Sequence, residues 1–196
     1  MVDGHRLSAM DEDRWALVNE RELIDAACRD MDAFAALYNR YRPRVFAYML
    51  TYATTIEDAA DLTQYVFVRV LEVLPSYCHG STPLSAWLFR IARNAAIDAY
   101  RRQRRVLPWD HMPEAMRSWP ADGPETASLH ADDLNRLRIL VSQLDRNKQE
   151  LLALRFAADL TLVEIAALLG KRESAVQKQL SRIIQRLKEQ FHESSV

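Results

Sequence analysis

The chain has 196 residues, 49% hydrophobic and 27% charged, with a formal net charge of -1 at pH 7. That length suits one medium domain or two small ones, and that composition excludes disorder throughout. Cys28 and Cys78 lie too far apart for a secreted disulfide framework or a four-ligand zinc site, and no stretch reaches the ~18 apolar residues of a membrane span, so the chain reads as cytoplasmic with no membrane insertion.

Only four glycines occur, Gly4, Gly80, Gly123 and Gly170, and apolar residues recur at three and four with no β-type alternation. The fold class expected is all-α, as two small helical domains joined by a Pro-containing linker, the C-terminal one a helix-turn-helix. Residues 1–19 read as a polar extension, since Met1 to Arg14 holds no apolar core. A first domain is expected over 20–105. Its first strong stripe is Phe34, Leu37, Tyr38, Tyr41, Val45 and Met49, with Asp32 expected as N-cap and a bend at Pro43. Thr55-Ile-Glu-Asp58 has capping-box spacing and opens a helix with Ala59, Leu62, Val66, Val70 and Leu74 on one side, until Pro75 stops it.

After the loop Ser76 to Thr82, Pro83 is expected at the first position of a long helix reaching about Arg105. Leu84, Leu88, Ile91, Ala92, Ala95 and Ala99 fall on one side of it, and Arg90, Arg93, Asn94, Arg101, Arg104 and Arg105 largely on the other. A charged helix face is most often only solvated. Here six arginines share the helix with a single acid, Asp98, and like charge at that density points to an anionic ligand. Residues 106–133 read as a linker, interrupted by Pro108, Pro113, Pro120, Gly123 and Pro124.

The second domain is expected over 134–196. Leu134, Leu137, Val141 and Leu144 mark one helix, and Asp145 caps another containing Leu151, Leu152 and Leu154. Thr161-Leu-Val-Glu164 is a second capping box, Gly170 a C-terminal stop, and a final helix is expected from Ser174 with Val176, Leu180, Ile183 and Leu187 inward. This is helix-turn-helix spacing, in which the second helix presents polar side chains to base edges and phosphates. Ser174, Gln177, Lys178, Ser181, Arg182 and Gln185 lie away from the apolar stripe, with Lys171 and Arg172 in the turn.

With those motifs in place, the chain resembles the extracytoplasmic-function (ECF) sigma factors of bacterial RNA polymerase, over about Ala33 to Arg105 and Leu134 to Glu189. Asp58-Ala-Ala-Asp-Leu-Thr-Gln-Tyr-Val-Phe67 resembles the polymerase-docking motif, Trp87-Leu-Phe-Arg-Ile-Ala-Arg-Asn94 the promoter-melting helix, and Ile165 to Leu187 the recognition unit. The resemblance implies core-polymerase contacts at Asp58, Asp61, Leu62, Gln64 and Phe67, on the β′ clamp helices, with the β flap as a further polymerase contact. It also implies minus-ten DNA contacts at Tyr77, His79, Arg90, Arg93, Asn94, Asp98 and Arg101. Minus-thirty-five contacts would fall at Arg172, Ser174, Gln177, Lys178, Ser181 and Arg182. Partners implied are core RNA polymerase, promoter DNA and an anti-sigma factor, with no cofactor, no metal and no enzymatic activity.

Two departures stand out. Tyr65 follows Gln64 where the family usually has an acid, and Ser174-Ala-Val-Gln-Lys-Gln179 replaces a common Gly-Thr-Val-Lys-Ser-Arg run. Trp87 lies on the border of the two arcs, open to core packing or to DNA, and Cys78 beside His79 offers too few ligands for a metal. No further C-terminal domain is expected after the last helix. A self-sufficient helix-turn-helix regulator is the competing class, and it leaves the basic helix and docking motif without a role. A nucleic-acid-processing enzyme finds no support in the five histidines or in any glycine-rich phosphate loop.

Overall fold

The computed structural model describes residue 15 and residues 18–77, 82–104 and 127–193. The expectations for His79, for residues 1–14 and for most of the linker lie outside those residues. All regular structure among them is helical.

Helix α1 (Glu20–Ala27) starts at Asn19, whose side-chain oxygen accepts from the Glu22 N–H at 3.0 Å. Helix α2 (Met31–Leu50) is capped by Asp30, not Asp32: the Asp30 carboxylate accepts from the Asp32 N–H at 2.8 Å. The helix has to begin early enough to carry both Ala33 and Phe34 into the core, which leaves Asp32 inside the first turn as a favourable negative charge. It runs on through Pro43, an exposed position opposite an exposed Asn39, so the Asn39 carbonyl that lacks a helical donor faces solvent.

Helix α3 (Ile56–Val73) carries the expected capping box, with Thr55 and Asp58 each accepting from the other's backbone N–H. It ends in a 3-10 turn, Leu74–Ser76. Thr55→Ala is expected to cost about 1 kcal/mol, read as a lower urea midpoint at unchanged slope. Helix α4 (Leu84–Arg104) follows; the Pro83 carbonyl accepts from the Trp87 N–H at 3.0 Å, which places Pro83 at the cap rather than in the first turn.

Helix α5 (Ala127–Ser142) begins inside the segment read as linker. Beyond Pro124 that segment holds no breaker, and Ala127, Leu129 and Ala131 favour helix. Leu140 and Leu144 are buried, whereas Leu134 and Leu137, about two turns and one turn before Leu140, are 41% and 40% exposed. Helix α6 (Arg146–Leu152) is capped by Asp145 and passes into a π turn, Ala153–Ala157. Helix α7 (Leu162–Leu169) has the Thr161–Glu164 capping box and closes on Gly170 in the left-handed region (φ 63). Helix α8 starts one residue before Ser174 and spans Glu173–Glu193.

One continuous buried core results. Leu37, Val45, Tyr48 and Met49 of α2, Val66 and Val70 of α3 and Leu88 and Ala92 of α4 fill its first part; Leu154, Leu160, Ile165, Val176, Leu180 and Ile183 continue it through the later helices. The core is continuous because α4 packs on α7 and α2 packs on the π turn.

Candidate functional site

Helix α3 offers an uncovered face. Asp61 and Gln64 are exposed, and with them stand Tyr65 (54%), Val68 (56%) and Leu71 (39%). At 3.6 residues per turn these five lie within an arc of about 120°. Large exposed apolar groups interspersed with a carboxylate and an amide suit a docking surface, the former giving area to desolvate and the latter orientation. The expected set divides between the surface and the interior here. Phe67 is 3% exposed and stands edge-on to Tyr38 at 4.6 Å, so it supports the face from beneath; Leu62 is half-buried against the core. Asp58 serves the capping box. The family resemblance singled out Leu62 and Phe67, whereas the exposed Tyr65, Val68 and Leu71 lie outside that set, as three bulky apolar residues off the main stripe.

Helix α4 presents Arg90, Asn94, Asp98 and Arg101 as exposed residues, following the expected basic arc. Arg93 departs from it. Its guanidinium turns toward the second helical unit and donates to Glu150, Nε to Oε1 at 2.6 Å and Nη2 to Oε2 at 3.1 Å. That bond is the main reason the guanidinium holds its proton more firmly than usual. Helix α4 therefore has a second covered arc, Ala86, Phe89 and Ala96 being fully buried beside Arg93. In the preceding loop the Tyr77 hydroxyl donates to the Thr82 carbonyl at 2.6 Å, and its ring lies 5.1 Å from that of Trp87. Tyr77 braces the loop against α4, and Trp87, half-buried, belongs to that brace.

Helix α8 projects Ser174, Gln177, Lys178, Ser181 and Arg182 outward, with Arg172 exposed in the preceding turn, while Val176, Leu180, Ile183 and Leu187 are buried. Donors and cations thus sit on one free side of a helix held by α5 and α7. The six expected contacts are brought together.

Polar side chains tie the two units. Arg44, stacked over Tyr41 and Phe89 at 5.3 and 5.7 Å, donates to the Ala158 and Asp159 carbonyls at 2.8 and 2.9 Å. Ser85, 2% exposed, donates to the Glu164 carboxylate. Burial pushes the Glu164 carboxyl up, but hydrogen bonds from Ser85 and Thr161 and the charge of Arg44 outweigh it and hold the group below its ordinary range. A depressed carboxylate contributes stability that is complete above the ordinary Glu value and fades as pH falls through the depressed one. Glu164→Gln is accordingly expected to lower the urea midpoint at pH 7, with the gap to wild type closing on acidification below about pH 4.

The comparisons with known proteins bear on these faces together. Family models for "Sigma-70 region 2" and "Sigma-70, region 4" match residues 37–106 and 140–189. The ECF RNA polymerase sigma factor SigD of Mycobacterium tuberculosis is 32% identical over 176 residues, covering 86% of this chain and 82% of the relative. The chain belongs to the ECF sigma factors. Among solved structures, this sigma factor is similar to CnrH in complex with the cytosolic domain of CnrY, with TM-score 0.64 and 22% identity over 88% of this chain and 97% of that one. It is also similar to RpoE in complex with the anti-sigma factor NepR from Bartonella quintana, with TM-score 0.60 and 24% identity over 80% and 94% of the two chains. Those likenesses establish the shared helical fold. No helix among the described residues of the sigma factor is long and apolar enough to cross a membrane.

Proposed function

We propose that this sigma factor docks on core RNA polymerase through the exposed face of α3, opens the minus-ten element with α4 and its preceding loop, and reads the minus-thirty-five duplex with α8. Residues 20–104 form the first working module, 127–193 the second, and the chain between them is the tether. The observation that carries this reading is the coexistence of three solvent-facing surfaces with different chemistry: Tyr65–Val68 on α3, Arg90–Asn94–Arg101 on α4, and Gln177–Lys178–Arg182 on α8.

The task of each surface follows from its chemistry. The α3 face supplies apolar area for a protein partner. Guanidinium groups on α4 serve phosphates, while amide and carboxylate neighbours offer edges to unstacked bases. The α8 side chains suit the major groove, with Gln and Arg for base edges and Lys and Ser for the backbone. Strand opening needs no covalent chemistry; unstacking costs a few kcal/mol per step and is offset by contacts to the exposed strand. Work of this kind is binding rather than catalysis by the factor itself. An anti-sigma partner completes the proposal on the family likeness, as does action in the cytoplasm.

Reconstituted holoenzyme on host promoter fragments tests the reading. Transcription should require the factor and should fall steeply when the spacer between the two elements changes by several base pairs, because two tethered readers reinforce each other only when geometry fits. Equal initiation from altered spacers sinks the two-reader scheme. Tight duplex binding by the free chain in a gel shift supports a self-sufficient regulator instead.

A further inference from the structure

Where α6 meets α4, Glu150 is 9% exposed and both its oxygens are engaged by Arg93. A carboxylate seated on an arginine in this two-pronged way presents the same paired oxygens and negative charge as a DNA phosphate. The Tyr52 hydroxyl lies 3.4 Å from Glu150 Oε1. Beside them the Arg146 guanidinium sits between the rings of Tyr52 and Tyr100, at 4.2 and 4.4 Å. The seam between the units therefore combines buried apolar residues with a set of directional polar contacts, as interfaces between domains do. Outside the seam, Gln64 and Val68 on α3 and Gln177 and Arg182 on α8 stay exposed.

Resting on the DNA role given to α4 above, we propose that Glu150 and Arg93 form an intramolecular clasp in which the second unit's carboxylate occupies the phosphate seat of the strand-opening helix. The clasp withdraws Arg93 from the basic arc of α4 while leaving the polymerase-docking and duplex-reading faces free. The closed chain is then fit to find polymerase but not to hold a separated strand, and separation of the units on the enzyme releases Arg93. Arg93 thus has two alternative anionic partners, one inside the chain and one on DNA, and Glu150 acts as the competitor.

The test uses the purified full-length chain, free of polymerase, with small-angle scattering for closure and a fluorescent oligothymidylate as a sequence-neutral strand. Glu150→Gln keeps the shape of the side chain and removes its charge. It is expected to raise the radius of gyration and tighten oligothymidylate binding about fivefold, as the competent fraction of the chain grows. The double variant Arg93→Glu with Glu150→Arg rebuilds the pair in reverse; it should return to wild-type compactness yet bind the strand no better than Arg93→Glu alone. Wild-type scattering and affinity in Glu150→Gln overturn the clasp, as does a double variant as expanded as Arg93→Glu. Scattering reads the free chain, so it judges the clasp even if the holoenzyme fails to initiate, and transcription by wild-type holoenzyme judges the sigma assignment separately.

Discussion

Replacing Gln64, Tyr65 and Val68 together by Ala should cut core-polymerase affinity by about a hundredfold while leaving the melting curve of the free chain near wild type. The three stand on the exposed face of α3, where Tyr65 and Val68 are more than half exposed, so truncation leaves no cavity behind. Interface hot spots are worth about 2 kcal/mol or more each and are seldom additive, so a combined loss near 3 kcal/mol, about two decades in affinity, is the scale to expect. Phe67→Ala is the informative contrast. Its ring is buried against Tyr38, and deleting it should cost about 3–5 kcal/mol of stability, lowering polymerase retention only alongside a lowered midpoint of unfolding. Competition for core polymerase measured by fluorescence anisotropy, read beside urea melts, separates the two. Full retention by the triple variant removes α3 as the docking face.

Holoenzyme carrying both Lys178→Ala and Arg182→Ala should lose transcription from promoters that need the minus-thirty-five element. Its promoter binding should also become less dependent on salt. Both side chains are exposed on α8 and hold no place in the core, so stability should stay within about 0.5 kcal/mol of wild type. Each cation that neutralises a phosphate releases counterions, and losing one lowers the log–log salt slope by about one. Filter binding across a salt series gives that slope directly. An unchanged slope with unchanged transcription would show that these cations merely keep α8 soluble.

Much of the fold was legible because its decisive chemistry is local. Thr55 with Asp58, Thr161 with Glu164, Asp145 and Gly170 each declare a helix end within four residues, and each stands where the spacing placed it. The slip from Asp32 to Asp30 arose because two acids compete at one helix start and the choice is made by Ala33 and Phe34 entering the core. Long-range choices were harder to read. Periodicity says which residues share a face but not what covers it, so the inward Phe67 and the outward Tyr65 and Val68 could not be told apart by composition. On α4 the same blindness hid a second covered arc. Arg93 and its partner are 57 positions apart, and nothing near either one in sequence announces the other. Phe89 and Ala96, uncharged residues on the arc of Arg93, were the available sign that this side of the basic helix is also packed.

Gly170 ends α7 with φ at 63, and a side chain there would meet no atom within 4 Å. The demand at this corner is torsional, not spatial: the residue is chosen for the angle it turns and not for the room it leaves. Among relatives, drift at this position should therefore run toward asparagine, which tolerates the left-handed basin, and away from branched residues of equal or smaller bulk. A size-based substitution scale will misjudge this corner, and with it the aim of α8, which leaves from it.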